Sequence, residues 1–184
     1  LCYFNGMEWT DVENSHLEIE CLPSGGWGYD YFIPRSAYAR MLSDNVIYMT
    51  GRFQASWGDF GAYKGLNSLE NDIQDAMCQG TQFSVGDHMH PAEGLVEDIY
   101  RDIGKIYRKY EEYERWTDGC RYISEIGIII NRGRFTNSHK GAARMLSELK
   151  YGFDIIDETM DFGKYRLLLI PGDTVPNDAL CEKL

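Results

Sequence analysis

The chain has 184 residues, a formal net charge of −11 and a sequence pI near 4.8. This length suits one domain or one and a half. The acidic balance argues against nucleic acid or an anionic membrane surface as the main partner, because both require a basic footprint. No run approaches the roughly 18 apolar residues of a membrane span, and the start lacks the regions of a signal peptide. A neutral ligand is therefore expected.

The first part of the chain alternates strand and helix patterns. Strands are predicted at residues 1–6, 16–22, 46–49 and 81–86, and helices at 35–43, 67–79 and 94–115. The third strand is continuously apolar, which indicates burial on both faces within a parallel sheet. Parallel strands joined by helices are typical of a (β/α)8 barrel, whose chemistry lies on the loops at the strand C-termini. Four units predict half of such a barrel in residues 1–116.

The pattern restarts after residues 116–119. Strands are predicted at 123–131, 154–156 and 165–172, and helices at 138–151 and 177–184. The inward positions predicted for the first of these helices are Ala142, Met145, Leu146 and Leu149. These units resemble the opening of a flavodoxin-like doubly wound sheet, so we place a domain boundary between residues 116 and 117. His16 and His139 are interpreted as surface or strand-edge residues.

The cysteines give the redox environment. There are five, an odd number without a C-x-x-C pair: Cys2, Cys21, Cys78, Cys120 and Cys181. This spacing predicts reduced thiols, and the chain has no N-x-[ST] acceptor. Both features favour a cytoplasmic location. Because the chain begins without Met and its last helical pattern runs to the final residue, we interpret it as a piece of a larger protein.

Two glutamates share the second predicted strand. Side chains repeat every second residue along a strand, so Glu18 and Glu20 lie on one face. The loop that follows leads to the aromatic residues Trp27 and Tyr29. Carboxyl groups beside flat rings suit a sugar, because an acid can act on the glycosidic oxygen while a ring covers the C–H face. The alternative is one glutamate paired with an arginine inside a barrel, with the rings as packing.

The segment after the third strand holds further polar candidates. Arg52 ends the strand, and the aromatic, glycine-rich loop 54–65 carries Trp57 and Asp59. Arg52 is positioned to hold a hydroxyl or to fix the charge of a carboxylate. Asp59 is placed to bind hydroxyls while rings stack on the sugar. The alternatives are an ion pair of Arg52 with a nearby carboxylate (Glu18, Glu20 or Asp59) and a loop-shaping role for Asp59.

Asp87, His88 and His90 follow the fourth strand. A His-x-His spacing suggests a metal site, but no third ligand is positioned by a motif, so no metal is predicted. We favour a pair, Asp87 and His90, that binds substrate hydroxyls.

Three sequence motifs carry information that the periodicity of strands and helices does not. They are Glu18 followed by Trp27-Gly28-Tyr29, Thr50-Gly51-Arg52-Phe53 followed by Trp57-Gly58-Asp59-Phe60, and Ser84-Val85-Gly86-Asp87 followed by His90-Pro91. Together they resemble bacterial glycoside hydrolases related to α-L-fucosidases, in which a catalytic barrel precedes a glutamine-amidotransferase-like domain of the β-galactosidase trimerisation type. The resemblance covers nearly the whole chain. It implies the C-terminal half of a (β/α)8 barrel followed by the first part of a flavodoxin-like doubly wound domain.

The same resemblance assigns roles. In α-L-fucosidases a Trp-Glu pair is followed, nine residues after the Glu, by Trp-Gly-Tyr. Glu18 stands nine residues before Trp27, with Leu17 in place of the Trp. The resemblance therefore implies Glu18 as the general acid/base, with Glu20 as its rival. It also implies a carboxylate nucleophile on an earlier barrel strand, upstream of Leu1.

Two further implications concern chemistry and assembly. Asp59 and Asp87 are the local alternatives for a second carboxylate. The second domain of such relatives is associated with oligomer contacts, which implies a homo-oligomer. No Gly-x-Cys-x-Gly elbow occurs in residues 122–184, so amidotransferase chemistry is not expected.

Three functions are compared. The first is carboxylate acid/base hydrolysis of a fucoside- or galactoside-like bond. The second is a non-catalytic carbohydrate-binding or oligomer-assembly protein derived from that fold. The third, a flavodoxin-like binder, requires a phosphate site at 171–174, and the chain has no glycine-rich nest there. No cofactor is therefore expected.

Overall fold

The computed structural model describes residues 2–3, 15–88, 90–92 and 94–184. Within these ranges the first sheet is parallel, in the order β1-β2-β3-β4, and its strands are β1 Cys2–Tyr3, β2 Leu17–Glu20, β3 Val46–Gly51 and β4 Gln82–Gly86. The second sheet is also parallel, in the order β6-β5-β7, with β5 Ile126–Ile129, β6 Asp154–Ile156 and β7 Leu167–Leu169. Most of the strand predicted at 1–6 lies outside the described residues.

Five helices of the described ranges accompany these strands: α1 Phe32–Leu42, α2 Leu66–Cys78, α3 Glu97–Thr117, α4 Asn137–Glu148 and α5 Asp178–Lys183. The α/β class with parallel sheets is therefore confirmed. None of these helices combines the length and the apolar character that crossing a bilayer requires.

Strand β2 alternates as predicted between a helix-facing side and an opposite side. Leu17 and Ile19 are fully buried in the main apolar cluster, so Glu18 and Glu20 point to the other face. Strand β3 alternates too. Tyr48 is buried, whereas Ile47 and Met49, which lie on the same face as the glutamates, are only partly buried. The expectation that β3 is buried on both faces was therefore wrong.

Helix α1 packs between the two sheets. Its buried Phe32 stacks on Tyr48 of β3, with ring centroids 3.9 Å apart, and the hydroxyl of Tyr38 donates to Asp157 after β6 at 2.5 Å. The main apolar cluster accordingly contains side chains from both sheets. Helix α1 starts three residues before the predicted Arg35, because a proline in the first turn needs no hydrogen-bonded N–H. The domain boundary at 116/117 stays a prediction.

Helix α4 buries a different stripe from the predicted one. Met145 is 50% exposed and Leu149 is 59% exposed, while Ala143 and Leu146 are buried. His139 is fully buried, so its interpretation as a surface or strand-edge residue was wrong. Its ring shares hydrogen bonds with Thr136 and Thr174, which replace water for the imidazole. Burial lowers the pKa of His139, which favours the neutral ring.

Candidate functional site

The C-terminal ends of β2, β3 and β4 bring three charged side chains to one edge of the first sheet. The strands are in register there, since Glu20 pairs with Met49, and Gly51 pairs with Gly86. Glu20 ends β2, while Arg52 and Asp87 directly follow β3 and β4. Residues separated widely in sequence therefore meet where parallel α/β sheets hold their sites.

Glu20 is held by the loop after β3. Its carboxylate is 6% exposed and accepts a hydrogen bond from the indole Nε1 of Trp57. The indole packs against Phe53, with ring centroids 4.7 Å apart. A Cβ on Gly86 would lie 2.6 Å from the Trp57 ring, so only glycine leaves room for this arrangement. Glu18, half-buried on the same face, lies two residues earlier on β2.

Arg52 and Asp87 form the second part of the site. The Nε of Arg52 lies 2.6 Å from Asp87 Oδ1, and both side chains are largely covered. Asp87 also accepts hydrogen bonds from the backbone N–H of His88 at 2.7 Å and from the hydroxyl of Tyr100 at 2.8 Å. The ion-pair alternative for Arg52 had named Glu18, Glu20 and Asp59, and these partners were wrong. Arg52 and Asp87 meet because each directly follows one member of the pair Gly51 and Gly86, which lie opposite each other on adjacent strands.

This network sets the charge of Asp87. Partial burial acts to raise its pKa, but the hydrogen bonds from Arg52, Tyr100 and the His88 amide outweigh burial, so the pKa lies below its ordinary value. Asp87 is therefore ionised near neutral pH. A depressed carboxyl pKa adds stability above the ordinary value of about 4, and that stability is lost as the pH falls through the folded-state pKa.

Replacing Arg52 with glutamine is expected to raise the pKa of Asp87, because the substitution removes both the cation and a charge-assisted donor. The acid-induced loss of stability should become correspondingly shallower. Carboxyl chemical shifts followed by NMR through a pH titration measure the first effect. The Tyr100→Phe variant, which removes one neutral donor, should give a smaller rise. An unchanged Asp87 pKa in Arg52→Gln would contradict the assignment.

Asp59 shapes its own loop. Its Oδ2 accepts a hydrogen bond from the Ala55 amide at 3.1 Å, which is the loop-shaping alternative left open by the sequence. The same loop is tied to the turn after β2, where the hydroxyl of Ser24 donates to the Gln54 carbonyl at 2.7 Å. Two strand-end loops thus support one another above the site.

Three further predicted residues, Trp27, Tyr29 and His90, have other partners. Trp27 packs against Tyr31, with ring centroids 4.8 Å apart. Tyr29 is 49% exposed, and its hydroxyl lies 3.2 Å from the Ser68 hydroxyl. The exposed His90 accepts from the Ala92 amide at 3.3 Å. Within the described residues, none of the three is hydrogen-bonded to the Glu20, Arg52 and Asp87 cluster.

Sequence reasoning missed two contributors. The first is Tyr100, whose helix shows only the pattern of an ordinary solvated helix. The first turn of a helix that follows a strand lies at the carboxyl edge of the sheet, so Tyr100 reaches Asp87. His88 was set aside, and it stacks on Phe53 with ring centroids 5.0 Å apart. Both of its ring nitrogens are buried without a hydrogen-bond partner in the described ranges.

No group of three or more His, Cys, Asp or Glu side chains among the residues described is arranged to hold a metal ion.

A buried ion pair lies beneath the loop. Lys64 and Asp72 are both fully buried, with Nζ 2.8 Å from Oδ2. Thr50 at the end of β3 accepts from Lys64 at 2.7 Å and donates to Asp72 at 2.9 Å. The backbone N–H of Lys64 also donates to the carbonyl of Arg52 at 2.9 Å. Lys64 therefore closes the base of the loop that delivers Trp57.

No family model matches the chain, and no curated protein matches it. Among solved structures it is similar to "Alpha-L-fucosidase isoenzyme 2 from Paenibacillus thiaminolyticus", with 35% sequence identity and a TM-score of 0.85 over 92% of this chain. The chain is related to the α-L-fucosidases. This confirms the relation indicated by the three sequence motifs, and at the level of the fold the chain is similar to a glycoside hydrolase. The chain spans 27% of the length of that fucosidase.

Proposed function

We propose that this chain supplies the general acid/base carboxylate of a glycoside hydrolase acting on a fucoside- or galactoside-like substrate. The observation that carries the proposal is the pair Glu18 and Glu20 on one face of β2, at the sheet edge that also holds Trp57 and the Arg52–Asp87 pair. Relation to a fucosidase supports it. Acid/base hydrolysis needs a carboxyl group beside a surface on which a sugar can stack, and the carboxyl groups of this edge lie beside the partly exposed ring of Trp57.

The contacts separate the two glutamates. Glu20 is nearly fully buried and bound by the Trp57 indole, which suits a positioning role. Glu18 is less buried, and its carboxylate makes no hydrogen bond within the described residues, so it is available to a glycosidic oxygen. Asp87, ionised by its pairing with Arg52, does not suit proton donation and instead suits binding of hydroxyls or of developing positive charge.

The wider architecture belongs to the same proposal. The four parallel strands, with α1, α2 and α3 after successive strands, support the C-terminal half of a (β/α)8 barrel. The order β6-β5-β7 with α4 between β5 and β6 supports the first part of a flavodoxin-like doubly wound domain. We propose that this second part contributes to assembly of a homo-oligomer.

The test is hydrolysis of aryl fucosides and galactosides by the full-length gene product. Glu18→Gln should lower kcat/KM by about 10²–10⁴-fold, because a positioned acid contributes that much. The loss should be smaller for aryl leaving groups of low pKa, which need little protonation. Glu20→Gln should reduce activity equally across leaving groups, since it acts through Trp57. Glu148→Gln, an exposed change on α4, is the matched control. Full turnover by both strand variants would overturn the proposal.

The second candidate, a non-catalytic carbohydrate-binding or oligomer-assembly protein, is favoured by one contact. The Glu20 carboxylate is already occupied by the Trp57 indole, as in a site that binds without reacting. Saturable binding of fucose or galactose without turnover of any aryl glycoside would support this candidate over the hydrolase.

A further inference from the structure

A second cleft lies between the start of α1 and the start of α4, away from the Arg52–Asp87 pair. Its volume is about 470 Å³, within the usual range for small-ligand sites. It is lined by Tyr31, Arg35, Phe135, Thr136, Asn137, Lys140 and Asp173. The cleft lies at the carboxyl end of β5, the central strand of the order β6-β5-β7. Open α/β sheets bind ligands at such switch points.

Arg35 is the unusual residue of this cleft. Its guanidinium carbon lies 3.5 Å from the ring centroid of Tyr31 and 5.1 Å from that of Phe135, so aromatic rings fix the plane of the group. Nη1 donates to the Tyr31 carbonyl at 3.3 Å, whereas Nε is buried and has no hydrogen-bond partner in the described ranges.

Arg35 also differs from the other covered arginines. Arg40 and Arg52 have carboxylates at 3.0 Å and 2.6 Å. No carboxylate of the described residues lies within 4.0 Å of the Arg35 guanidinium. Burial lowers the pKa of Arg35, which reflects the cost of a cation that lacks a counter-charge. Held flat and unpaired, the group is suited to an anion from outside the chain.

The usual phosphate position in this kind of cleft is already filled. Asp173 lines the cleft beside the N-terminus of α4, where its interactions with Ser138 and Thr136 lower the pKa of its carboxyl. A dianionic phosphate would meet this negative charge. The positive charges among the lining residues are those of Arg35 and Lys140. A ligand with a single carboxylate fits that balance.

We propose that this cleft binds the carboxylate of a sugar acid, with Arg35 as its principal partner and Lys140 as the second. The choice of a sugar rests on the proposed function. Tyr31, which forms one wall, packs on Trp27 in the loop after β2, so the cleft borders a loop that follows the strand bearing Glu18. The anion preference itself rests only on Arg35, Lys140 and Asp173.

The experiment is calorimetric titration of the protein with glucuronate and, separately, with glucose. Saturable binding of glucuronate at least tenfold tighter than that of glucose is expected. Arg35→Gln should weaken glucuronate binding about tenfold or more, because it removes charge-assisted hydrogen bonds to the carboxylate. Lys140→Gln should weaken it less, and Arg35→Lys should retain part of the affinity. Arg144→Gln, which removes an exposed positive charge on α4, is the control.

Equal affinities for the two sugars, or wild-type affinity in both Arg35→Gln and Lys140→Gln, would overturn the inference. Inclusion of Lys140→Gln keeps the test decisive if Arg35→Gln does not fold. Binding is measured without turnover, so Glu18→Gln should bind glucuronate normally. Loss of hydrolysis in Glu18→Gln without any glucuronate binding would remove only this inference. Glucuronate binding alongside full turnover by both Glu18→Gln and Glu20→Gln would remove only the hydrolase proposal.

Discussion

Replacing Lys64 with methionine is expected to lower the free energy of unfolding by about 3–5 kcal/mol, because it leaves a carboxylate buried without its cation. Both side chains are fully buried, and Oδ1 of Asp72 already has no hydrogen-bond partner among the described residues. The loop that carries Trp57 should also lose its anchor, since Lys64 ties it to Thr50.

Guanidinium denaturation at several pH values measures this effect. Burial already raises the pKa of Asp72, against the opposing charge of Lys64. Without Lys64 that rise is unopposed, and a raised carboxyl pKa means stability that is lost as the pH rises above the ordinary value of about 4 towards the folded-state pKa. The destabilisation should therefore be larger at neutral pH than near pH 4. Lys109→Met, which breaks an exposed pair with Glu70 at 2.9 Å, should have a much smaller effect. Equal losses in the two variants would contradict the buried-pair account.

Replacing Gly25 with alanine should be the second most disruptive substitution. A Cβ at this position would lie 1.7 Å from the backbone oxygen of Ala55, and no rotamer change relieves a clash with backbone. The loops after β2 and β3 must separate, which breaks the Ser24–Gln54 hydrogen bond. We expect a loss of about 1–3 kcal/mol or more of stability, measured by thermal or chemical unfolding, together with a changed Trp57 fluorescence.

Gly61→Ala is the matched control for this prediction. Gly61 lies in the loop after β3 that Gly25 contacts, and a Cβ there would have no neighbour within 4 Å. Alanine at Gly61 should leave both the unfolding midpoint and the tryptophan emission close to those of the original chain. If Gly25→Ala behaved in the same way, the close packing of the two loops would be refuted.

The local hydrophobic pattern was sufficient to predict the order of the strands and helices. The order of strands and helices follows from periodicity and breakers, and the alternation of Leu17 and Ile19 with two glutamates correctly predicted the faces of β2. Boundaries moved by a few residues, since capping and packing decide where a helix ends. The inward stripe of α4 was missed because His139 is counted as polar, although two threonine hydroxyls satisfy it in the core.

Contacts between distant segments were harder to predict. A lysine in a glycine-rich loop gives no sign of burial until Asp72, on the next helix, is placed beside it. The partner of Arg52 was equally hard to predict. The sequence offered three nearby carboxylates, whereas the actual partner, Asp87, follows the next strand along the chain. Tyr100 completes that network from a helix whose sequence shows only an ordinary charged surface. Such pairings depend on register between strands, which composition does not encode.

Helix α1 is held to both sheets, because Phe32 stacks on Tyr48 of β3 and the hydroxyl of Tyr38 donates to Asp157 after β6. Unfolding of either sheet would therefore expose the side of α1 that packs on it and destabilise the packing of α1 on the other sheet. Heat should dismantle the strand bearing Glu18 and the strands beyond residue 126 in one cooperative step, although they belong to separate sheets.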